Sequence, residues 1–238
     1  MAAENAVDSE GILLRAYAEP GFRARRGFTA AARKLVRLPR SGEGPLDFLL
    51  PESRWRALEE RLPDPEGWCS ALSQATGVYF FPSREWPVRF VRYLARLGVR
   101  RLLEAGAGRG YLSAALGPLT AAAGIAFLAV DLGAGEFQSE LPHHPAVVRG
   151  DVFTLAPEFC PEALVYAWPP PGQGLAPLFA CPTLRYLFVA GEPGGGVTGA
   201  REDWLRLAHR RSQVLSRFSR GRSGPHRHQV TIFQREGD

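Results

Sequence analysis

Between Arg101 and Ala190 the chain repeats one figure, a short apolar run followed by a connection long enough for a helix. The runs are RLLEA (101–105), IAFLAVD (125–131), AVVRGD (146–151), ALVYAW (163–168) and LRYLFVA (184–190). Short, continuous and rich in branched and aromatic residues, they have the composition of strands buried on both faces. Parallel strands need crossover connections, and an Ala- and Leu-rich helix at 110–122 supplies the first. The pattern predicts an α/β fold, a mostly parallel, doubly wound sheet.

The end of the chain breaks the alternation. After a helix at about 201–210, QVLSRFS (213–219) and HQVTIFQRE (228–236) flank the Gly- and Pro-containing stretch RGRSGPHR. Two strands so close in sequence predict an antiparallel hairpin, which completes a seven-stranded sheet. Before residue 86 the pattern is helical and irregular. PESRWRALEERL (51–62) places Trp55, Leu58 and Leu62 on one face, and GWCSALSQATG (67–77) reads as a second helix closed by Gly77. PVRFVRYLARLG (87–98) opens the regular part. The expected organisation is a small helical N-terminal extension, 1–85, and a core domain, 86–238.

The 238 residues, 45% hydrophobic and 22% charged, suit one large domain with a small extension. No apolar stretch approaches the ~20 residues that span a bilayer, and MAAENAVDSE lacks the basic and apolar regions of a signal peptide. A cytoplasmic protein without a membrane partner is expected. Cys69, Cys160 and Cys181 are odd in number and widely spaced, which argues for buried thiols and against disulfides or a CxxC site.

The net charge of +5 is carried almost wholly by arginine, Lys34 being the single lysine. A GC-rich genome accounts for that usage, but clustered arginines also bind phosphates and carboxylates. Residues 20–40 hold Arg23, Arg25, Arg26, Arg33, Lys34, Arg37 and Arg40 with no acid among them, and residues 206–227 hold a second cluster. The first is expected to be an electrostatic arm standing off the core, with nucleic acid as its candidate partner.

The strongest local signal is LLEAGAGRGYLSAAL (102–116), in which a strand runs into Glu104 and then Gly106, Gly108 and Gly110 precede a helix. Glycines there let the backbone turn tightly and approach a ligand, and the helix start supplies N–H groups. The spacing is GxGxG; the third glycine of the dinucleotide pattern GxGxxG would fall at Tyr111. Asp131 ends the second strand and Asp151 follows the third within GDVF, both at the carboxyl edge of the sheet, where open α/β folds bind ligands. A carboxylate at Asp131 can accept two ribose hydroxyls, and one at Asp151 an adenine amino proton with Val152 against the ring; a helix cap and a turn residue are the plainer roles.

With these residues in order, 86–238 resembles the class I S-adenosylmethionine-dependent methyltransferases. EAGAGRG resembles their first motif, AVD their ribose-binding acid and GDVF their adenine segment. The resemblance implies S-adenosylmethionine as cofactor, held by Glu104, Gly106, Ala107, Gly108, Gly110, Asp131, Leu132, Asp151, Val152 and the face of Trp168. It also implies a final antiparallel hairpin, which an NAD-binding domain would lack.

The acceptor side is less marked. WPPPGQG (168–174) stands where the amino-methylating branch resembles D/N-P-P-Y/F, with Trp168 in place of the acid or amide and Pro171 in place of the aromatic. Pro169 and Pro170 can hold a carbonyl outward, and Trp168 can face the acceptor or serve as a packed turn. Glu192, at the base of the loop GEPGGGVTG (191–199), is the best placed carboxylate to orient or deprotonate an acceptor. VYFFPSREWP (78–87) is a candidate lid or a packed joint; His143 and His144 are further candidate bases, and His226 and His228 lack the third ligand of a metal site. A methyltransferase acting on a small molecule or a nucleic acid is the expected function. The alternative is a catalytically silent protein that keeps the cofactor site for a regulatory or partner role.

Overall fold

The computed structural model describes residues 10–14, 17, 26–133 and 140–235. Arg23 and Arg25 of the basic segment, and the side chain of Arg26, lie outside the described residues. In chain order the elements are α1 (Arg26–Leu35), α2 (Glu52–Glu59), α3 (Pro65–Thr76), β1 (Phe80–Pro82), α4 (Glu85–Arg96), β2 (Arg101–Ala105), α5 (Tyr111–Ala122), β3 (Ala126–Asp131), β4 (Val147–Arg149), α6 (Val152–Phe159), β5 (Ala163–Ala167), β6 (Tyr186–Gly191), α7 (Arg201–Arg206), β7 (His209–Arg211), α8 (Gln213–Arg217), β8 (Ser219–Gly221), α9 (Gly224–Arg227) and β9 (Gln229–Gln234).

Seven strands form one sheet in the order β4-β3-β2-β5-β6-β9-β7. The first five in that order are parallel, and β9 runs antiparallel to both β6 and β7. Successive residues of a strand point to opposite faces, and both faces are buried. Leu102, Val165, Phe188 and Ile232 pack with Phe90 and Leu94 of α4 and Leu112 and Leu116 of α5. Leu103, Leu164, Leu187 and Phe233 pack with Val152 and Ala156 of α6 and Trp204 of α7. That double cover is why these runs read as continuously apolar.

The final antiparallel arrangement is present, but its first strand is not the expected one. QVLSRFS does not pair with the last strand; Gln213–Arg217 is a helix capped by Ser212, whose hydroxyl accepts from Leu215 N, and His209–Arg211 takes the place beside β9. β7 is an exposed edge made of His and Arg, so it lacks the apolar signature that marks the other strands.

α1, α2 and α3 bury Phe28, Ala32, Val36, Trp55, Leu58 and Trp68 in a cluster that continues onto Tyr111 and Ala115 of α5. The expectation of an arm standing off the core is therefore corrected for the described part of 26–40. Arg33 Nε donates to the Ala75 carbonyl, and Arg37 forms a two-pronged ion pair with Glu43, just beyond the acid-free window. α3 is delimited by Asp64, which accepts from Gly67 N, and by Gly77 at φ 66°. Cys69 and Cys181 are buried, while Cys160 is half-exposed at the left-handed end of α6.

β1 and β8 form a separate antiparallel ribbon, Phe80 opposite Gly221 and Pro82 opposite Ser219. Arg220, 2% exposed, leaves this ribbon towards α2. Its guanidinium bonds both carboxylate oxygens of Glu52 at 3.1 Å and Glu59 at 2.5 Å, and lies 4.9 Å from the centre of the Trp55 ring. Burial pushes the Glu59 carboxyl above its ordinary value even with Arg220 beside it. One partner removed leaves the others as buried, unpaired charges. Arg220→Met is expected to lower the unfolding free energy by about 3 to 5 kcal/mol in urea titrations at neutral pH, and adding Glu52→Gln and Glu59→Gln to recover part of it.

Candidate functional site

A cavity of about 440 Å³ opens at the carboxyl ends of the parallel strands. Glu104, Gly106, Ala107, Gly108, Asp131, Leu132, Asp151, Val152 and Trp168 all line it. Gly110 and Glu192 do not.

The Gly loop follows β2, and its three glycines have separate reasons. Gly106, Gly108 and Gly110 have φ of 59°, 53° and 80°, where L side chains are strained. A Cβ at Gly106 would fall 2.7 Å from Tyr166 Cε2, and one at Gly110 would fall 2.6 Å from His144 Cβ. Those two glycines are packing requirements. A Cβ at Gly108 would meet nothing within 4 Å, because Gly108 faces the cavity. Asp131 fixes the loop: Gly108 N donates to its Oδ2 at 2.7 Å and Gly133 N to its Oδ1 at 2.8 Å. Carboxylate oxygens keep further lone pairs, so Asp131 can still accept from a ligand. Asp151 is the N-cap of α6, accepting from Phe153 N at 3.0 Å, and it faces the same cavity.

Glu104 lies at the floor, buried, with Ser113 Oγ donating to its Oε2 at 2.8 Å. Burial pushes its carboxyl up to about 8, the Ser113 bond opposes that, and the Asp131 charge adds to it. The cavity thus holds a neutral acid at neutral pH, ready to ionise beside a cation. Burial likewise raises Tyr166 to about 12.

Further lining comes from four distant segments: Gly77 to Phe80 at the start of β1, Trp168 to Gln173 after β5, Val197 after β6 and Arg222 after β8. Of these, Val78, Tyr79 and Phe80 lie in the segment expected to be a lid or joint, and Trp168 is the residue expected to face the cofactor or acceptor; no role was expected for Arg222, Arg109 or Tyr166 individually. Arg109 is structural, its guanidinium donating to the Thr76 and Pro142 carbonyls.

Trp168 has a left-handed φ of 54°, strain of about 1–3 kcal/mol that the surroundings must hold. They do so by hydrogen bonds: Trp168 N donates to Ala190 O, Gly199 N to Pro169 O, Gln173 N to Pro170 O and Gly172 N to Gly199 O. The proline carbonyls are therefore engaged in the turn, which corrects the expectation that one points outward. The Gly-rich loop after β6 is the other half of this corner, a bracing role that explains Thr198 at 0% exposure.

Glu192 sits elsewhere. Gly191 pairs with Gln229 of β9, so the next residue leaves the sheet on the β9 side, in a shallow depression with Pro193, Arg211, His226, Arg227 and His228. The sequence placed it on the Trp168 rim because both follow neighbouring strands; the turn after β6 separates them. His143 and His144 do not line the cavity either. His228 is buried, its imidazole pushed down to about 3 by burial, with Nε2 facing Ser219 Oγ at 3.1 Å. No group of three metal-ligating side chains occurs among the described residues, and none of the described helices is long and apolar enough to cross a membrane.

No protein-family profile and no curated protein matches the sequence. Among solved structures the chain is similar to human N-acetylserotonin methyltransferase in complex with SAM, at 12% identity over 95% of this chain and 70% of that one, with a TM-score of 0.41. It is similar to a putative caffeoyl-CoA O-methyltransferase from Staphylococcus aureus, at 8% identity over 77% and 99%, with a TM-score of 0.41. SAH-bound Podospora anserina methyltransferase PaMTH1 follows at 11% identity over 88% and 94%, with a TM-score of 0.39. The strand order and the antiparallel β9, read from this chain itself, give the doubly wound, mostly parallel sheet with an antiparallel end that the sequence resemblance implied.

Proposed function

We propose that the chain is an S-adenosylmethionine-dependent methyltransferase. One observation carries the reading: Gly108 presents a bare backbone to a cavity that Asp131, Asp151 and Glu104 also line, with its N–H bonded to Asp131. That cradle fits a nucleoside linked to a cationic tail, with the acids accepting from hydroxyl and amino groups and Glu104 answering positive charge. The cofactor would supply an activated methyl carbon; this chain's own share is binding, orientation and exclusion of water. Trp168, Tyr79 and Phe80 form an aromatic wall that keeps the transfer site apolar, and the braced Trp168 corner fixes its shape.

A second reading, a silent cofactor-binding protein, is favoured by one observation: among the described residues the Trp168 side of the cavity has no carboxylate or imidazole to take a proton. Release of S-adenosylhomocysteine from S-adenosylmethionine across pools of acceptors separates the two. Product above the no-protein background supports the enzyme; cofactor binding without product in every pool supports the silent protein.

In calorimetry, S-adenosylhomocysteine is expected to bind the purified chain. Gly108→Val is expected to abolish the binding heat, since its side chain enters the cavity, and Asp131→Ala to weaken affinity by about 1 to 3 kcal/mol. Normal binding by Gly108→Val would remove the cofactor reading.

Glu104 adds a pH test. Its folded carboxyl titrates near 8 instead of near 4.5, so its contribution to stability is full below about 4.5 and is lost as the pH rises through about 8. Glu104→Gln is expected to flatten the fall in unfolding free energy over that window. Affinity for the positively charged ligand should rise with pH between about 6 and 8 in the parent chain and stay level in Glu104→Gln.

A further inference from the structure

We propose that Arg222 is the anchor for an anionic acceptor: a small, planar, apolar molecule carrying a carboxylate or phosphate, seated between Tyr79 and Trp168. This rests on the methyltransferase reading and names the class of its second substrate.

Arg222 lines the same cavity as the Gly loop. Its guanidinium carbon lies 5.6 Å from the centre of the Tyr79 ring and 5.8 Å from that of Trp168. Aromatic faces at this distance hold a guanidinium in place and leave its N–H edges unspent. The backbone fixes the residue as well, Arg222 N donating to Tyr79 O at 3.0 Å as a continuation of the β1–β8 ribbon. Two residues earlier, Arg220 pins that ribbon to α2 through Glu52 and Glu59.

The contrast between these two arginines decides the matter. Arg220 has two carboxylates; Arg222 forms an ion pair with no carboxylate among the described residues. Arg109, the other cation in the cavity, is spent on backbone carbonyls. A half-buried guanidinium held beside rings, in a cavity whose acids do not pair with it, is a binding group for an anion. Apart from Gln173, the neighbouring lining is Val78, Tyr79, Phe80, Pro170, Pro171 and Val197, mainly apolar, so the body behind the anion is apolar and flat. Because this lining lacks a base, an acceptor already ionised, or ionised with help from Arg222, also meets the chemical need.

The test uses the full chain saturated with S-adenosylhomocysteine and measures Kd by calorimetry for matched probes: benzoate against benzamide, and phenyl phosphate against phenol. At least one anion is expected to bind about 10-fold or more tighter than its neutral partner, the scale of one charge-assisted hydrogen-bonded contact. The tighter anion names the group, carboxylate or phosphate. Arg222→Gln should erase the preference while S-adenosylhomocysteine still binds, and Arg222→Lys should keep part of it. Equal affinities within both pairs, a preference that survives Arg222→Gln, or displacement of the probe by a single-stranded RNA oligonucleotide whose own binding needs Arg222 would each overturn the proposal. Failure of the parent chain to bind S-adenosylhomocysteine would instead overturn the methyltransferase reading.

Discussion

Arg220 is the joint of the molecule. It sits on β8 but is neutralised by two carboxylates of α2 and covered by Trp55, so one side chain holds the N-terminal helices and the C-terminal excursion together. Charges this deep must be paired, and the pairing admits little displacement. What it positions is functional: β1 and β8 lie side by side, and Tyr79, Phe80 and Arg222 project from that ribbon into the cavity wall. Gly221, between Arg220 and Arg222, is obligatory for a different reason. A Cβ there would fall 2.6 Å from Trp168 Nε1 and 2.7 Å from His228 Nδ1, so the ribbon lies flat against the indole.

The cofactor half of the cavity was legible in the sequence because it is built from strand ends that follow one another. A strand residue, a Gly loop and an acid after the next strand are local patterns, and β2 and β3 fall where the apolar runs put them. Even there the packing was hidden: Gly110 supports the helix start against His144, and Asp151 caps α6. The basic segments were legible only as charge. α1 buries Phe28, Ala31 and Ala32 while Arg33 and Lys34 are exposed, and Arg220 of the second cluster is one of the most buried charged side chains. Counting charges along a window does not reveal carboxylates brought in from α2.

The other half was legible only in pieces, as Trp168 and the segment 78–87, because no single stretch of sequence contains it. Gly77 to Phe80, Trp168 to Gln173, Val197 and Arg222 meet only in the fold. Glu192 illustrates the reverse error. Sequence proximity to the fifth parallel strand put it near Trp168, and the pairing of Gly191 with Gln229 carried it to the other side. The Gly-rich loop that looked like a ligand loop is a brace: its Gly199 accepts from and donates to the proline corner.

The charges of the cavity are separated, and the separation has a consequence. The carboxylates Asp131 and Asp151 and the neutral Glu104 line the cavity with the Gly loop, and Arg222, beside the rings of Tyr79 and Trp168, forms an ion pair with none of them. Were Arg222 within ion-pairing distance of those acids, the pair would neutralise itself and the cavity would select only for shape. Held apart in surroundings of low polarity, the acids and Arg222 favour opposite charges, so a cationic ligand and an anionic one are each drawn to their own partner. On the proposed reading, two reactants sorted in this way would meet beside the apolar ring of Trp168, where exclusion of water would leave the attraction between opposite charges unscreened.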